Sequence, residues 1–126
     1  MIQLQCEQVL HLHQQMITAT GGAFGVRDQG ALDSALRHAF ASYDGVDLYP
    51  TVESKAARQC FAIISNHPFV DGNKRTGLFV MLVFLELRGT ALRFSQGELV
   101  ALGFGVADSS LNADDVLQWI RTHMSA

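Results

Sequence analysis

An almost unbroken apolar run, residues 78–87, constrains the fold of this chain more than any other stretch. Glu86 is its one polar residue, and the segment from Phe79 to Leu85 contains none. A helix formed by these residues has no polar face, and such a helix is buried on all sides. The run is well short of the roughly 17 to 25 residues that a membrane-spanning helix needs. We therefore predict a soluble protein with this helix at its centre.

Capping residues divide the rest of the chain into further helices. Asp28 and Asn112 stand where an N-cap is expected, and another helix starts near Thr51. Pro68 disfavours helical backbone at the residue before it, which places the end of that helix around Asn66. We predict an all-α fold, a compact bundle of about six helices around the buried central helix.

Composition and charge limit the classes of function. The chain has 126 residues, of which 48% are hydrophobic and 17% charged, and this suits a single domain over residues 1–126. A net charge of -3 gives no basic face, so we expect no direct nucleic-acid partner. The opening residues lack a signal peptide's basic start, so we expect a cytoplasmic protein with no membrane partner. Cys6 and Cys60 fall on apolar helical stripes, and we interpret them as core residues rather than a disulfide or metal pair.

Two short stretches are predicted to be non-helical. Residues 21–28, "GGAFGVRD", are too rich in glycine for a helix. Apolar residues between these glycines favour a short β-hairpin or flap. Residues 41–50, "ASYDGVDLYP", are predicted to form a loop.

A polar segment, "SNHPFVDGNKRTG" at residues 65–77, stands directly before the central helix. The first N–H groups of a helix have no partner within it, and the helix dipole adds partial positive charge there. Lys74 and Arg75 place two cations at this end, which costs up to about 1 kcal/mol each unless an anion binds. A phosphate held by the N–H groups and the basic pair accounts for this pattern.

Other residues of this segment suit phosphate chemistry. Gly72 lets the chain turn and lets a ligand approach the backbone, and Asn73 offers a cap or a hydrogen-bonding side chain. The carboxylate of Asp71 can hold magnesium beside phosphate oxygens. Histidine is the side chain suited to proton transfer near neutral pH, so His67 can accept a proton from a hydroxyl nucleophile.

The spacing of these residues equally allows a purely structural interpretation. In that alternative, His67 and Pro68 end one helix and Asp71 caps the next. Lys74 and Arg75 are then a solvated surface patch. Only the joint arrangement favours a functional site, because none of these residues is specific by itself.

The stretch "HPFVDGNKRTG" resembles the motif of the Fic superfamily, and more closely that of its death-on-curing (Doc) branch, the toxins of toxin–antitoxin pairs. "GGAFGVRDQGALDSAL" is similar to the flap and following helix of that branch. "DLYPTVESKAA" and "LVFLELRG" are similar to the approach to the motif and to the end of the central helix. The resemblance covers nearly the whole chain.

The resemblance implies a fold, a site and two cofactors. It implies the small α-helical Fic fold with a β flap that aligns a target segment, formed here by Gly22, Ala23, Phe24, Gly25 and Val26. It implies that His67 is the catalytic base and that Asp71 holds Mg²⁺ at the phosphates of ATP. It implies an anion-binding helix start made of Gly72, Asn73, Lys74 and Arg75. His13 stands at the usual distance before the Gly-Gly pair, and we interpret it as a structural residue on an apolar stripe.

Two positions differ from Fic members that transfer AMP. Those members usually carry Gly where Lys74 stands, and where Leu78 stands they carry an Arg that holds the triphosphate with its α-phosphorus exposed. Lys74 and Leu78 match the Doc branch, which resembles a kinase. It transfers the γ-phosphate to a threonine of elongation factor Tu and stalls translation. Two alternatives stay open: nucleotidyl transfer to a protein hydroxyl, and a catalytically silent binding module.

The sequence also lacks a self-inhibitory segment of the Fic type. Self-inhibited members carry Ser or Thr, three residues, Glu, and then Gly or Asn. The glutamates here are Glu7, Glu53, Glu86 and Glu98, and no Ser or Thr stands four residues before any of them. Inhibition of a toxic domain must then come from another chain. The resemblance implies a cognate antitoxin whose partly disordered tail folds on the toxin.

Overall fold

The computed structural model describes residues 3–125, which form six α-helices and one two-stranded antiparallel sheet. The helices are α1 (Cys6–Thr20), α2 (Gln29–His38), α3 (Val52–Asn66), α4 (Asn73–Leu87), α5 (Gln96–Ala107) and α6 (Ala113–His123). The strands are β1 (Ser42–Tyr43) and β2 (Val46–Asp47), between α2 and α3. The predicted all-α bundle with a small hairpin is confirmed.

Local capping fixes the helix ends where the sequence predicts them. Asp28 Oδ1 accepts a hydrogen bond from Ala31 N at 3.0 Å at the start of α2. Thr51 before α3 and Asn112 before α6 each form a reciprocal capping box. A cap of this kind stabilises a helix by about 0.5–2 kcal/mol relative to alanine. The predicted end of α3 at Asn66 is also confirmed.

Helices α3 and α4 together form the centre of the bundle. α3 contacts α2, α4, α5 and α6, and α4 contacts α1, α3 and α5. The two helices come close because Gly77 has no side chain. A Cβ atom at Gly77 would lie 2.6 Å from Ile64 Cγ1 and 3.1 Å from the carbonyl oxygen of Cys60.

The prediction that α4 is buried on every side is wrong. Val80 and Phe84 are fully buried, but Phe79 is 50% exposed and Leu87 is 67% exposed. A domain of this size has too few helices to enclose one of them, so apolar composition does not guarantee a cover for each face. Among residues 3–125, no helix combines the length and apolarity needed to cross a bilayer.

The hairpin forms at a different place from the one predicted. Residues 42–47, predicted as loop, pair as β1 and β2, with Tyr43 opposite Val46. Their turn is Asp44-Gly45, and φ is +53° and +78° at these two residues. An Asp-Gly pair with positive φ is typical of two-residue hairpin turns, so the signal was present in the sequence.

The glycine-rich residues 21–28 form a loop that contains no strand. Gly21, Gly22 and Gly25 have φ of +87°, +117° and +124°, and these values interrupt extended backbone. One isolated bridge joins Val26 to Phe69 in the loop before α4. We keep the name flap for residues 22–26, although it is not a hairpin.

The cysteines behave as the sequence predicts. Cys6 and Cys60 are both free thiols. Cys60 is fully buried in the core, and burial raises the pKa of its thiol to about 12. The thiol therefore stays protonated and unreactive at neutral pH.

Candidate functional site

The start of α4 gathers the residues that the sequence predicts for the site. A cavity of about 260 Å³ opens there, bordered by the preceding loop and by the end of α5. It is lined by His67, Val70, Asp71, Gly72, Asn73, Lys74, Arg75 and Ala107. A larger cavity of about 360 Å³ beside Leu85 and Phe94 has Glu86 as its one charged residue, so its chemistry is far poorer.

His67 ends α3 in an uncommon backbone conformation. It is the C-cap residue and lies in the left-handed region, with φ +49° and ψ +58°. A non-glycine residue in this region costs about 1–2 kcal/mol, so its surroundings must hold it there. The residue is exposed, and its imidazole forms no hydrogen bond with any other residue in 3–125. The ring is therefore accessible to a substrate hydroxyl.

The carboxylate of Asp71 is fixed by two main-chain donors. Asp71 Oδ2 accepts a hydrogen bond from Ala23 N at 3.0 Å, and Oδ1 accepts one from Gly72 N at 2.8 Å. The bond from Ala23, then that from Gly72, and the nearby charge of Arg75 hold the pKa of Asp71 below its ordinary value. The carboxylate is therefore ionised at neutral pH. The N-cap of α4 is Gly72, so the alternative that Asp71 caps this helix is wrong.

His13 supports the peptide of Asp71 from inside the fold. Its Nε2 atom lies 2.8 Å from the carbonyl oxygen of Asp71, and because a carbonyl only accepts, Nε2 carries the proton. The imidazole stacks on Phe69 with the ring centroids 3.9 Å apart. His13 is only 4% exposed, which fits the structural role we predicted.

The start of α4 leaves main-chain donors available. The side chain of Asn73 closes the loop, because its Oδ1 accepts from Phe69 N at 2.9 Å and its Nδ2 donates to Phe69 O at 3.0 Å. It forms hydrogen bonds as predicted, but it does not cap the helix. Within residues 3–125, no acceptor meets the main-chain N–H groups of Asn73, Lys74 and Arg75. Such groups bind anions.

Two different helices hold the basic pair. Lys74 Nζ lies 4.6 Å from the ring centroid of Phe104 on α5, a cation–π contact. Arg75 donates to Thr20 Oγ1 and, at 3.3 Å, to the carbonyl oxygen of Gly21. In the described part of the chain, neither cation forms an ion pair with a carboxylate. Both cations therefore lie at the start of α4, where the charge of Asp71 is close enough to interact with Arg75.

Sequence reasoning missed Thr20 and Phe104, and the reason is physical. Both residues lie on helices that are distant in sequence from the motif. No spacing pattern links either of them to the cation it contacts. Only the packing of α1 and α5 beside α4 brings these side chains to the site.

The flap lies directly against the site. A Cβ atom at Gly22 would lie 2.7 Å from Asp71 Oδ2, so only glycine allows this approach without a shift. Val70 N donates to Gly25 O at 3.1 Å, which ties the flap to the loop before α4. Phe24 is 57% exposed and Val70 is 58% exposed. Apolar side chains therefore face solvent beside the candidate site, and target docking by the flap stays a prediction.

The chemistry of Asp71 suits a magnesium ion. Residues 3–125 contain no group of three or more potential metal ligands, so any metal here would rely on this carboxylate and on a bound phosphate. Magnesium is commonly held by one or two carboxylates plus phosphate oxygens. Each carboxylate oxygen of Asp71 accepts one hydrogen bond and keeps a lone pair for a metal.

Comparisons with known proteins agree with this arrangement. The model of the Fic/DOC family matches residues 3–85, a range that includes the flap and the whole motif. Toxin Doc of Mycolicibacterium smegmatis is 43% identical over 74 residues, which cover 59% of this chain and 57% of that protein. This chain therefore spans less than two thirds of that relative. Protein kinase doc of Escherichia phage P1 is 30% identical over 118 residues, which cover 91% of this chain and 90% of that protein.

The family match contains the residues that line the cavity at the start of α4, apart from Ala107. The alignment with the phage protein extends the similarity over nearly the whole chain. The resemblance of the motif and the geometry of the site lead to the same assignment. The chain belongs to the Fic/DOC family, within its Doc branch.

Proposed function

We propose that this protein is the toxin of a toxin–antitoxin pair and a protein kinase. It transfers the γ-phosphate of ATP to a Ser or Thr hydroxyl of a translation protein, elongation factor Tu, and so blocks translation. One observation carries the proposal: an exposed histidine, an ionised carboxylate and two cations surround one cavity. The names of the two relatives, a toxin and a protein kinase, support it.

The residues have separate roles in this reaction. His67 accepts the proton of the attacking hydroxyl, whose oxygen forms a bond to the γ-phosphorus while the bond to the leaving ADP breaks. Lys74, Arg75 and the main-chain N–H groups at the start of α4 stabilise the negative charge of the transferring group. A magnesium ion on Asp71 would neutralise phosphate charge. Catalysis is then mainly positioning and electrostatics.

The packing of Leu78 favours phosphoryl transfer over transfer of AMP. Fic members that transfer AMP usually carry an Arg at this position. Leu78 is 8% exposed, and its Cδ1 would lie 3.0 Å from a Cβ atom at Gly103 on α5. Position 78 therefore makes an apolar contact between α4 and α5 and supplies no cation to the cavity. This absence supports the γ-phosphate as the group transferred.

We also propose a cognate antitoxin as the inhibitor and the cytoplasm as the place of action. The sequence contains no self-inhibitory motif of the Fic type, so a separate chain must restrain a toxic domain. An antitoxin tail that folds on binding suits this task. Co-expression with the neighbouring open reading frame should restore growth to cells that express this protein.

Labelled ATP tests the reaction. Incubation with purified elongation factor Tu and Mg²⁺ should transfer label from γ-labelled ATP and none from α-labelled ATP. His67→Ala should lower the rate by about 10²–10⁴-fold, because the base is lost. His11→Ala, an exposed histidine on α1, is the control and should leave the rate unchanged.

Each contrary outcome has a distinct meaning. Label from the α position means transfer of AMP and contradicts the kinase proposal. A folded His67→Ala protein that stays as active and as toxic as the wild type removes the assignment of the base. Undetectable binding of ATP by calorimetry favours a catalytically silent module.

A further inference from the structure

We propose that Arg27 is a positioning residue for His67. Its guanidinium holds the left-handed turn that directs the imidazole into the cavity, and it links that turn to the flap. The proposal rests on the proposed function, since it concerns the base of that reaction. No motif in the sequence assigns Arg27 a role.

Arg27 contacts the end of α3 through both side chain and main chain. Its Nε donates to the carbonyl oxygen of His67 at 2.7 Å, and its Nη2 donates to that of Asn66 at 2.7 Å. The N–H groups of Arg27 and Asp28 donate to the carbonyl oxygen of Pro68 at 2.8 Å and 3.0 Å. Three consecutive carbonyl groups are therefore fixed by one short segment.

These contacts have a physical purpose at this position. The last carbonyl groups of a helix have no partner within it, and the dipole gives this end partial negative charge. A guanidinium with fixed donors satisfies two such groups at once, and charge-assisted hydrogen bonds are stronger than neutral ones. Arg27 forms no ion pair with a carboxylate in the part of the chain described, so its charge serves these carbonyl groups.

The conformation of His67 makes the hydrogen bonds of Arg27 relevant to catalysis. Its imidazole has no hydrogen bond of its own within residues 3–125, so the backbone, which sets the direction of the Cα–Cβ bond and the allowed rotamers, decides whether the ring can reach the cavity. That backbone is in the left-handed region, which a non-glycine residue leaves easily when it is not held. On the far side of the turn, Phe69 is 1% exposed and anchors the loop in the core. Arg27 supplies the opposing attachment from the flap side.

Kinetics with matched variants test the proposal. Arg27→Ala should lower kcat by about 10- to 100-fold, while KM for ATP changes less than about twofold, because the base is misplaced and the phosphate site is not. Arg27→Lys should recover only part of kcat, since an ammonium lacks the planar fork. Arg37→Ala removes an equally charged side chain that is 69% exposed and pairs with Asp33, and it should leave kcat unchanged.

A double variant separates positioning from folding. If Arg27 acts through His67, adding Arg27→Ala to His67→Ala should change the remaining rate by less than about twofold. Methylguanidinium in the buffer should restore part of the activity of Arg27→Ala and none of that of His67→Ala. A full multiplicative loss in the double variant would show that Arg27 does not act through the base, and the proposal would fall.

An NMR readout does not depend on the reaction. The imidazole signal of His67, identified by its absence in His67→Ala, should shift in Arg27→Ala, while the signals of His13 and His123 stay in place. Such a shift supports the positioning role of Arg27 whether or not elongation factor Tu receives phosphate. A lack of phosphate transfer would contradict only the proposed function. An unchanged His67 signal and titration curve in a folded Arg27→Ala protein would overturn the proposal.

Discussion

Asp71 receives hydrogen bonds from three residues, two of which are distant in sequence. His13 donates to its carbonyl oxygen, Ala23 to Oδ2 and Gly72 to Oδ1. α1, the flap and the start of α4 therefore meet at one residue. A single hydrogen bond contributes only about 1 kcal/mol net, but a buried group left without its partner costs about 1–3 kcal/mol. The position of the carboxylate thus depends on contacts outside the motif.

His13→Phe tests the support of Asp71. Phenylalanine keeps the stacking on Phe69 but cannot donate to the carbonyl oxygen of Asp71, so we expect unfolding free energy to fall by about 1–3 kcal/mol. Urea unfolding followed by circular dichroism measures this change. His11→Phe, at an exposed position on the same helix, should alter the unfolding free energy by less than about 0.5 kcal/mol. Equal effects of the two substitutions would contradict the assigned contact.

At the residue scale, the sequence predicted the contents of the site but not its supports. His67, Asp71 and the basic pair lie together as expected, because one loop and the helix start that follows carry all of them. Thr20 and Arg27 could not be found in this way. Thr20 contacts the guanidinium of Arg75, and Arg27 contacts carbonyl groups at the end of α3. The packing of α1 and of the flap brings these groups together. Side-chain contacts between distant segments leave no periodic pattern.

At the element scale, the close approach of α3 and α4 depends on Gly77. Gly77→Ala places a methyl group 2.6 Å from Ile64 Cγ1 and 3.1 Å from a main-chain oxygen, and the latter cannot rotate away. We expect a loss of about 1–3 kcal/mol in unfolding free energy from overpacking. Gly97→Ala on α5 is the control, since its Cβ would meet only Ser95 Oγ at 3.9 Å. The control should be neutral or stabilising by up to about 1 kcal/mol. Chemical denaturation of both variants measures the difference, and an equally stable Gly77→Ala would contradict this packing.

Helix boundaries were predictable, whereas the sequence signals only the turn of the hairpin, Asp44-Gly45, and not its strands. Thr51 and Asn112 act through bonds to residues three positions on, so their effect is local and visible in sequence. β1 and β2 have two residues each, too few for an alternating pattern. Lys55 on α3 holds this region, because its buried Nζ donates to the carbonyl oxygen of Tyr49 and lies 3.5 Å from Asp47 Oδ2. A lysine on an apolar helix face does not by itself indicate a buried role.

A pair formed by His123 and Glu98 joins α6 to α5, and it predicts that the stability of the protein depends on pH. His123 Nε2 lies 2.7 Å from Glu98 Oε2, and its Nδ1 lies 2.7 Å from Trp119 O. Both partners accept, so the fully protonated imidazolium suits the site, and the bond to Glu98 raises the pKa of His123. Hydrogen bonds from Ser95 and then His123 lower the pKa of Glu98 to about 2.

The signs of these shifts define a window of stability. The contribution of Glu98 is present above its ordinary pKa of 4.5 and is lost as pH falls toward about 2. The contribution of His123 is present below its ordinary pKa of 6.5 and is lost as pH rises through its raised pKa. The thermal midpoint of the wild type should exceed that of His123→Asn most between about pH 4.5 and 6.5. For His11→Asn, the difference in thermal midpoint from the wild type should show no such maximum. If the difference for His123→Asn did not change with pH, the assigned interaction of His123 with Glu98 would be wrong.

At the scale of the whole molecule, the net negative charge does not favour the binding of an anionic nucleotide. The chain carries a net charge of -3, yet the start of α4 has two cations without carboxylate partners. Long-range attraction of a nucleotide is therefore weak, and binding must depend on contacts within the cavity. The two cations of the cavity also connect helices: Arg75 links α4 to the end of α1, and Lys74 links α4 to α5. Ligand binding should consequently stabilise the bundle as a unit.

A thermal shift with ATP and Mg²⁺ tests this coupling. A ligand at 100 times its Kd adds about 2.7 kcal/mol to the stability of the state that binds it, so the wild-type midpoint should rise by several degrees. Arg75→Ala should lose most of the shift relative to its own ligand-free midpoint, because a phosphate partner is gone. Asp71→Asn should lose the part that depends on magnesium. Arg121→Ala on α6, a cation outside the cavity, is the control and should keep the full shift. If Arg75→Ala were stabilised as much as the wild type, the phosphates would bind elsewhere on the molecule and the start of α4 would lose its assigned role.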